Sequence, residues 1–187
     1  MILANEELKT LVNSGVVARP DQDQVVVDLV SIGLHLSDTF VVYEPYQGEP
    51  LTPPTNMDTC TKRICANDAY ILVPMGKVLA CSQEIIRMPL DLMGFVQTKG
   101  SLARGFLMAH LCDGQIDPGY AGRITLEIVN LSDFNYRLEP GMPIAQLFFY
   151  ALSSPVGSGY SGRYQNSEEP TAMREASDNN PLGKDIE

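Results

Sequence analysis

Between residues 25 and 150 the apolar residues never run long, and this most limits what the chain can become. They fall in short β-favouring stretches at 25–27, 39–43, 70–73, 77–82, 93–97, 106–111, 123–130 and 144–150. Turn chemistry separates them, at Pro74-Met75-Gly76, Asp117-Pro118-Gly119 and Glu139-Pro140-Gly141. Many short strands closed by such turns predict a mainly β domain, built as a barrel, jelly roll or sandwich. No internal repeat is present. Ahead of the strands, residues 5–14 read as a short helix. Asn5 is placed to cap it, Glu6 and Glu7 suit its first turn, Leu8, Leu11 and Val12 make one face, and Gly15 is placed to end it.

With 187 residues the chain is sized for one domain. The expected division is a β domain over 1–152 and a C-terminal arm or tail over 153–187, where Gly, Ser, Pro and acidic residues take over. Two readings of that tail stay open: a disordered end, or an arm that orders over a ligand. Tyr160, Arg163, Tyr164 and Gln165 speak for the arm, because aromatic and hydrogen-bonding groups suit a ligand better than a spacer.

No apolar run reaches the roughly 18 residues that span a bilayer, so no membrane partner is expected. The start, Met1-Ile2-Leu3-Ala4-Asn5-Glu6-Glu7, has no basic region and turns acidic at once, which points to a cytoplasmic protein without a secretory signal. The four cysteines then need no disulfides and are expected as buried thiols. Cys60 and Cys65 stand five apart, outside zinc-site spacing. A net charge of -10 argues against a nucleic-acid polymer as partner but leaves room for a small anion.

Three segments carry possible chemistry. Lys99-Gly100-Ser101-Leu102-Ala103-Arg104-Gly105 offers two cations, a hydroxyl and flexible amides, suited to phosphate or simply to a surface turn. It lacks the spacing of a P-loop. Gly114-Gln115-Ile116-Asp117-Pro118-Gly119-Tyr120-Ala121-Gly122 places a carboxylate and an aromatic ring at one turn. In Arg123-Ile124-Thr125-Leu126-Glu127-Ile128-Val129-Asn130, strand alternation puts Ile124, Leu126 and Ile128 on one face and Arg123, Thr125 and Glu127 on the other. A glutamate there faces either open water or a polar pocket, and in a pocket it is a ready proton carrier.

Taken in order, these segments resemble the dCTP deaminase/dUTPase superfamily, the deaminase branch with its bifunctional members most of all. Lys99 to Arg104 is similar to that branch's Arg-Ser-Ser-Leu-Ala-Arg. Residues 116–122 resemble its Ile-Asp-Pro-Gly-aromatic-x-Gly, and Ile124-Thr125-Leu126-Glu127 its strand ending in the catalytic Glu. Pro140-Gly141-Met142-Pro143-Ile144-Ala145-Gln146-Leu147 resembles the turn and strand that follow.

The resemblance implies a dUTPase-like distorted β-barrel or jelly roll with a short N-terminal helix and a flexible C-terminal arm. It implies a homotrimer with sites between subunits, binding a dCTP- or dUTP-type nucleotide with Mg2+ carried on the triphosphate and no direct protein ligand to the metal. By position, Lys99, Gly100 and Ser101 would face phosphates, and Arg104 would hydrogen-bond and orient Glu127. Tyr120 would pack on the deoxyribose, Asp117 would contact the sugar or position a water, and Gln146 would join the nucleotide site. Arg163, Tyr164 and Gln165 would belong to the closing arm. Zinc deaminases instead use His-x-Glu and Pro-Cys-x-x-Cys. Here His35 precedes Leu36-Ser37 and His110 precedes Leu111-Cys112, so zinc is not expected and both histidines are expected to be structural.

Several positions depart from the family pattern. Lys99 stands for an Arg, Gly100 for a Ser, and Cys112-Asp113 for a Thr-Ala pair beside the base pocket. Gly33 and His35 replace charged residues of a Ser-Ile-Asp-Leu-Arg-Leu strand, and Ser167 and Glu169 replace Gln and Gly in the arm. The expected reaction is dCTP plus water to dUTP plus ammonia, with Glu127 activating the water. The alternatives are a bifunctional enzyme running on to dUMP and pyrophosphate, and a non-catalytic nucleotide-binding regulator.

Overall fold

The computed structural model describes residues 1–20 and 23–175. Helix α1 (Asn5–Asn13) buries Leu8 fully against the barrel. Ala4, not Asn5, stands at its N-cap, and no side chain caps it; Asn5 is already helical. Gly15 ends it as expected: its N–H bonds Val12 O and the Val16 N–H bonds Leu11 O, both at 3.0 Å, which satisfies carbonyls the last turn leaves open.

Twelve strands follow among the described residues. They are β1 (Val17–Ala18), β2 (Ile32–His35), β3 (Thr39–Tyr43), β4 (Thr61–Cys65), β5 (Tyr70–Leu72), β6 (Lys77–Arg87), β7 (Leu92–Thr98), β8 (Leu107–Met108), β9 (Gln115–Ile116), β10 (Ala121–Asn130), β11 (Tyr136–Leu138) and β12 (Pro143–Ala151). One sheet runs β4-β3-β6-β10-β8, with β1 also on β6; a second runs β2-β12-β7-β9; β11 and β5 form a separate pair. A single core joins the two larger sheets, Ile32, Leu34, Val96, Leu147 and Phe149 meeting Phe40, Ala80, Ile86, Leu126 and Ile128. A mainly β architecture with a short N-terminal helix is therefore what the chain forms.

Local departures have local causes. The valines at 25–27 make one bridge, Val27 to Ile32, and no strand. The stretch 106–111 shrinks to β8, because Phe106 takes a positive φ of 58° and the Ala109 N–H goes to Thr98 Oγ1 at 2.8 Å. β6 reaches Arg87 through a bulge opposite Arg123 and Thr125. There Ser82 Oγ accepts the Ile124 N–H at 3.0 Å and donates to Glu84 O at 2.7 Å.

The same bulge carries Glu84, fully buried, which accepts the His35 N–H at 2.9 Å and lies 2.8 Å from His35 Nδ1. His35 is thus structural, as expected. Only Cys81 is a buried thiol, and burial pushes its pKa up; Cys60 is half-buried, and Cys65 and Cys112 are exposed, against expectation. No helix among the described residues is long and apolar enough to cross a membrane.

Residues 153–175 are not a loose tail. The arm runs back along β10: Tyr160 N–H bonds Pro118 O, Asn166 N–H bonds Ala121 O and Arg123 N–H bonds Ser167 O, each at 2.7 Å. Ala172 is buried, and Met57 N–H bonds Met173 O at 2.9 Å. Residues 176–187 of the expected arm lie outside the described residues.

Candidate active site

The arm, β10 and the turn before it enclose a cleft of about 440 Å³. Strand alternation delivers its first acid. Leu126 and Ile128 are buried in the core, so Thr125 and Glu127 face the other way and line the cleft; Ile124, opposite the bulge, is buried and borders the cleft too. Glu127 is half-buried; its Oε2 accepts the Cys112 N–H at 2.8 Å, and its Oε1 accepts no hydrogen bond among the described residues.

The Asp-Pro-Gly turn supplies the opposite wall. Asp117 and Tyr120 line the same cleft, and Asp117 Oδ1 accepts Gln115 Nε2 at 2.6 Å. Tyr120 Oη donates to Arg123 O at 2.5 Å. Burial, more than the neighbouring Tyr160, lifts the Tyr120 phenol well above its usual pKa, so it stays neutral. Its ring lies 5.9 Å from that of Tyr160, tilted by 57°. Tyr164 adds a third ring from the arm, with the Arg163 guanidinium 5.8 Å from its centroid.

Gln165 locks the arm to this turn through both ends of its amide. Nε2 donates to Gly119 O and Oε1 accepts the Ala121 N–H, each at 2.9 Å. Gly119, at φ +83°, is required here: a Cβ on it would come within 2.5 Å of Gly159 Cα.

The structure thus gathers Glu127, Asp117, Tyr120 and Tyr164 around one cavity; Arg163 and Gln165 sit on the arm outside its lining. Arg163 donates to the Arg174 carbonyl. It does not gather the basic segment. Lys99 precedes a short helix α2 (Gly100–Ala103), where an open turn was expected, and neither Lys99, Gly100, Ser101 nor Arg104 lines the cleft.

The expected bond from Arg104 to Glu127 is not made within the chain. Arg104 Nη1 folds back onto Gly100 O at 3.0 Å, while Glu127 is taken by Cys112. Gln146 also stands elsewhere. On β12 its Nε2 reaches Asp28 Oδ2 and Ser31 Oγ, both at 3.1 Å, tying down the entry to β2.

Sequence reasoning set Asp113 beside the base pocket but missed Tyr43, Gln115, Thr171 and Met173; all five line the cleft. Asp113 and Gln115 had a signal in their polarity beside the Asp-Pro-Gly turn. Tyr43 had none; its hydroxyl accepts the Met173 N–H at 3.3 Å from a segment 130 residues away. Among the described residues the lining holds three carboxylates, Asp113, Asp117 and Glu127, and no Lys, Arg or His.

An antiparallel barrel thus seats a strand carboxylate, a turn carboxylate and a returning aromatic arm around one cleft sized for a small ligand. The chain belongs to the dCTP deaminase-like family, whose family model matches residues 2–152. A "dCTP deaminase, dUMP-forming" of Streptomyces avermitilis is 35% identical over 181 residues, spanning 93% of this chain and 95% of that protein. One from Beutenbergia cavernae is 34% identical over 93% of this chain and 94% of its own length. Among solved structures, a 2'-deoxycytidine 5'-triphosphate deaminase from Agrobacterium tumefaciens shares the fold at a TM-score of 0.64 and 18% identity. The match covers 80% of this chain and 47% of that one, so this chain spans about half its length.

Proposed function

We propose that this protein deaminates dCTP and carries the product on to dUMP and pyrophosphate. The observation that carries the reading is that Glu127 and Asp117 line one cleft, each with one oxygen that accepts no hydrogen bond among the described residues. The full-length relatives named as dUMP-forming favour this product over the dUTP end point expected first.

In the deamination, Glu127 takes a proton from water as the water oxygen bonds C4 of the cytosine. It returns the proton to the exocyclic nitrogen, the C4–N4 bond breaks, and ammonia leaves. General acid–base action of this kind contributes about 10² to 10⁴ in rate. The Cys112 N–H holds one Glu127 oxygen in place, so the carboxylate meets the base in one orientation. Tyr120, neutral and fixed through Arg123 O, offers its ring to the deoxyribose.

In the second step Asp117 takes a proton from another water. That oxygen bonds the α-phosphorus, the bond to the bridging oxygen breaks, and pyrophosphate departs with the electron pair.

A triphosphate brought to a lining of three carboxylates and no cation meets like charge. Magnesium carried on the triphosphate would supply the offsetting charge, and Asp113, Asp117 and Glu127 are the oxygen donors that would face it. The cations Lys99 and Arg104, with Ser101, come in this reading from a neighbouring subunit of a homotrimer, which completes the site and gives Glu127 its guanidinium.

The test is incubation with dCTP, resolving ammonia, dUTP, dUMP and pyrophosphate. Ammonia with pyrophosphate is expected. Ammonia with accumulating dUTP would restore a deaminase that stops there, and tight binding without products would make the protein a nucleotide-binding regulator.

A further inference from the structure

Strand β9 forms part of the rim of the cleft. Ile116 is buried and Gln115 exposed, and both line the cleft. Its backbone is fixed twice: Phe95 of β7 pairs with Gln115, and Asp113 Oδ1 accepts the Gln115 N–H at 3.0 Å. From this anchored position Nε2 reaches Asp117 Oδ1 at 2.6 Å. Residues two apart on extended chain share a face, and Pro118 keeps Asp117 extended.

The geometry points to Gln115 as a positioning residue for Asp117, acting in the pyrophosphate-releasing step; this rests on the bifunctional reading above. The amide binds one carboxylate oxygen and leaves Oδ2 to receive the water's proton. Its neutrality matters. Arg in its place would capture the carboxylate as an ion pair, and Glu would set an acceptor against an acceptor at 2.6 Å. Asp113 acts one bond further back, by fixing the Gln115 backbone.

The experiment compares ammonia release from dCTP with pyrophosphate release from dUTP in the wild type, Gln115→Met and Gln115→Glu, each also in an Asp117→Asn background. Gln115→Met keeps the side chain's length and loses the donor. Pyrophosphate release is expected to fall roughly tenfold or more further than ammonia release, in kcat more than in KM, matching one lost hydrogen bond to a charged group. Gln115→Glu should reproduce the split. With Asp117→Asn already present, Gln115→Met should add nothing.

Equal losses in both half-reactions, an unchanged pyrophosphate rate, or a full additional loss in the Asp117→Asn background would each overturn the positioning role while leaving the bifunctional reading intact. A wild type that releases ammonia but no pyrophosphate from dUTP overturns that reading and Gln115's role with it.

Discussion

Glu127 owes its place to alternation along β10: its buried neighbours Leu126 and Ile128 on one face force it onto the other. That much was legible, because a strand repeats every two residues. Which side held the cleft was not, because part of its lining comes from an arm some forty residues on, as Thr171 N–H to Thr125 Oγ1 shows at 3.3 Å with a separation of 46. Glu127→Gln should abolish ammonia release while nucleotide binding, followed by calorimetry, stays near wild type. Near-normal deamination by that variant would remove Glu127 from the mechanism. Gly100→Ser is expected to fold and to raise the deamination rate. A Cβ there meets only Arg104 Nη1, at 3.4 Å, so the hydroxyl found in the resembling motif has room. Tyr120→Phe gives up a hydrogen bond at a cost of about 1 kcal/mol. In the wild type the raised phenol pKa means full stability below about pH 10, lost as pH climbs toward the folded value. Tyr120→Phe should therefore flatten the alkaline arm of a melting-temperature profile.

At the level of elements, the change in composition near residue 153 marked the arm, but not how it is held. Its grip is mostly main-chain, and main-chain bonds leave no trace in residue type. Two ion pairs also reach it, Arg63 with Glu169 and Arg174 with Asp58, all four side chains well exposed. Exposed pairs are worth about 0–1 kcal/mol, whereas Gln165 makes two bonds to half-buried backbone. Gln165→Ala should consequently raise KM several-fold, by an amount on the order of one or two hydrogen bonds. Arg63→Ala should change it little, and added salt should matter correspondingly little. The reverse order in steady-state kinetics would place the latch in the charges. α2 was misjudged for a related reason: Gly and Ser suggest an open turn, yet Leu102, partly buried against the core, draws residues 100–103 into a helical turn.

For the whole molecule, the separation of acids from bases is the telling property. A chain with net charge -10 presents carboxylates to its own cleft and keeps Lys99 and Arg104 outside it. Sequence order put the motifs in a recognisable series, but order along a chain cannot say whether two motifs meet in one copy or across two. The expected homotrimer makes a sharp prediction. Glu127→Gln and Arg104→Ala proteins, each inactive alone, should regain part of the wild-type ammonia release when unfolded and refolded together, because some sites then draw an intact Glu127 and an intact Arg104 from different copies. Mixtures that remain dead, or a monomer by light scattering, would mean the basic segment serves something else.

Gly119 and Gly159 touch with nothing between them: a Cβ on Gly159 would stand 2.9 Å from Gly119 Cα, and one on Gly119 still nearer its partner. Here the protein is vulnerable to gaining atoms, not to losing them. Truncation scans, which ask what each side chain contributes, are blind to such a joint; a single added methyl would pry the arm from the barrel and register as a failure to hold substrate.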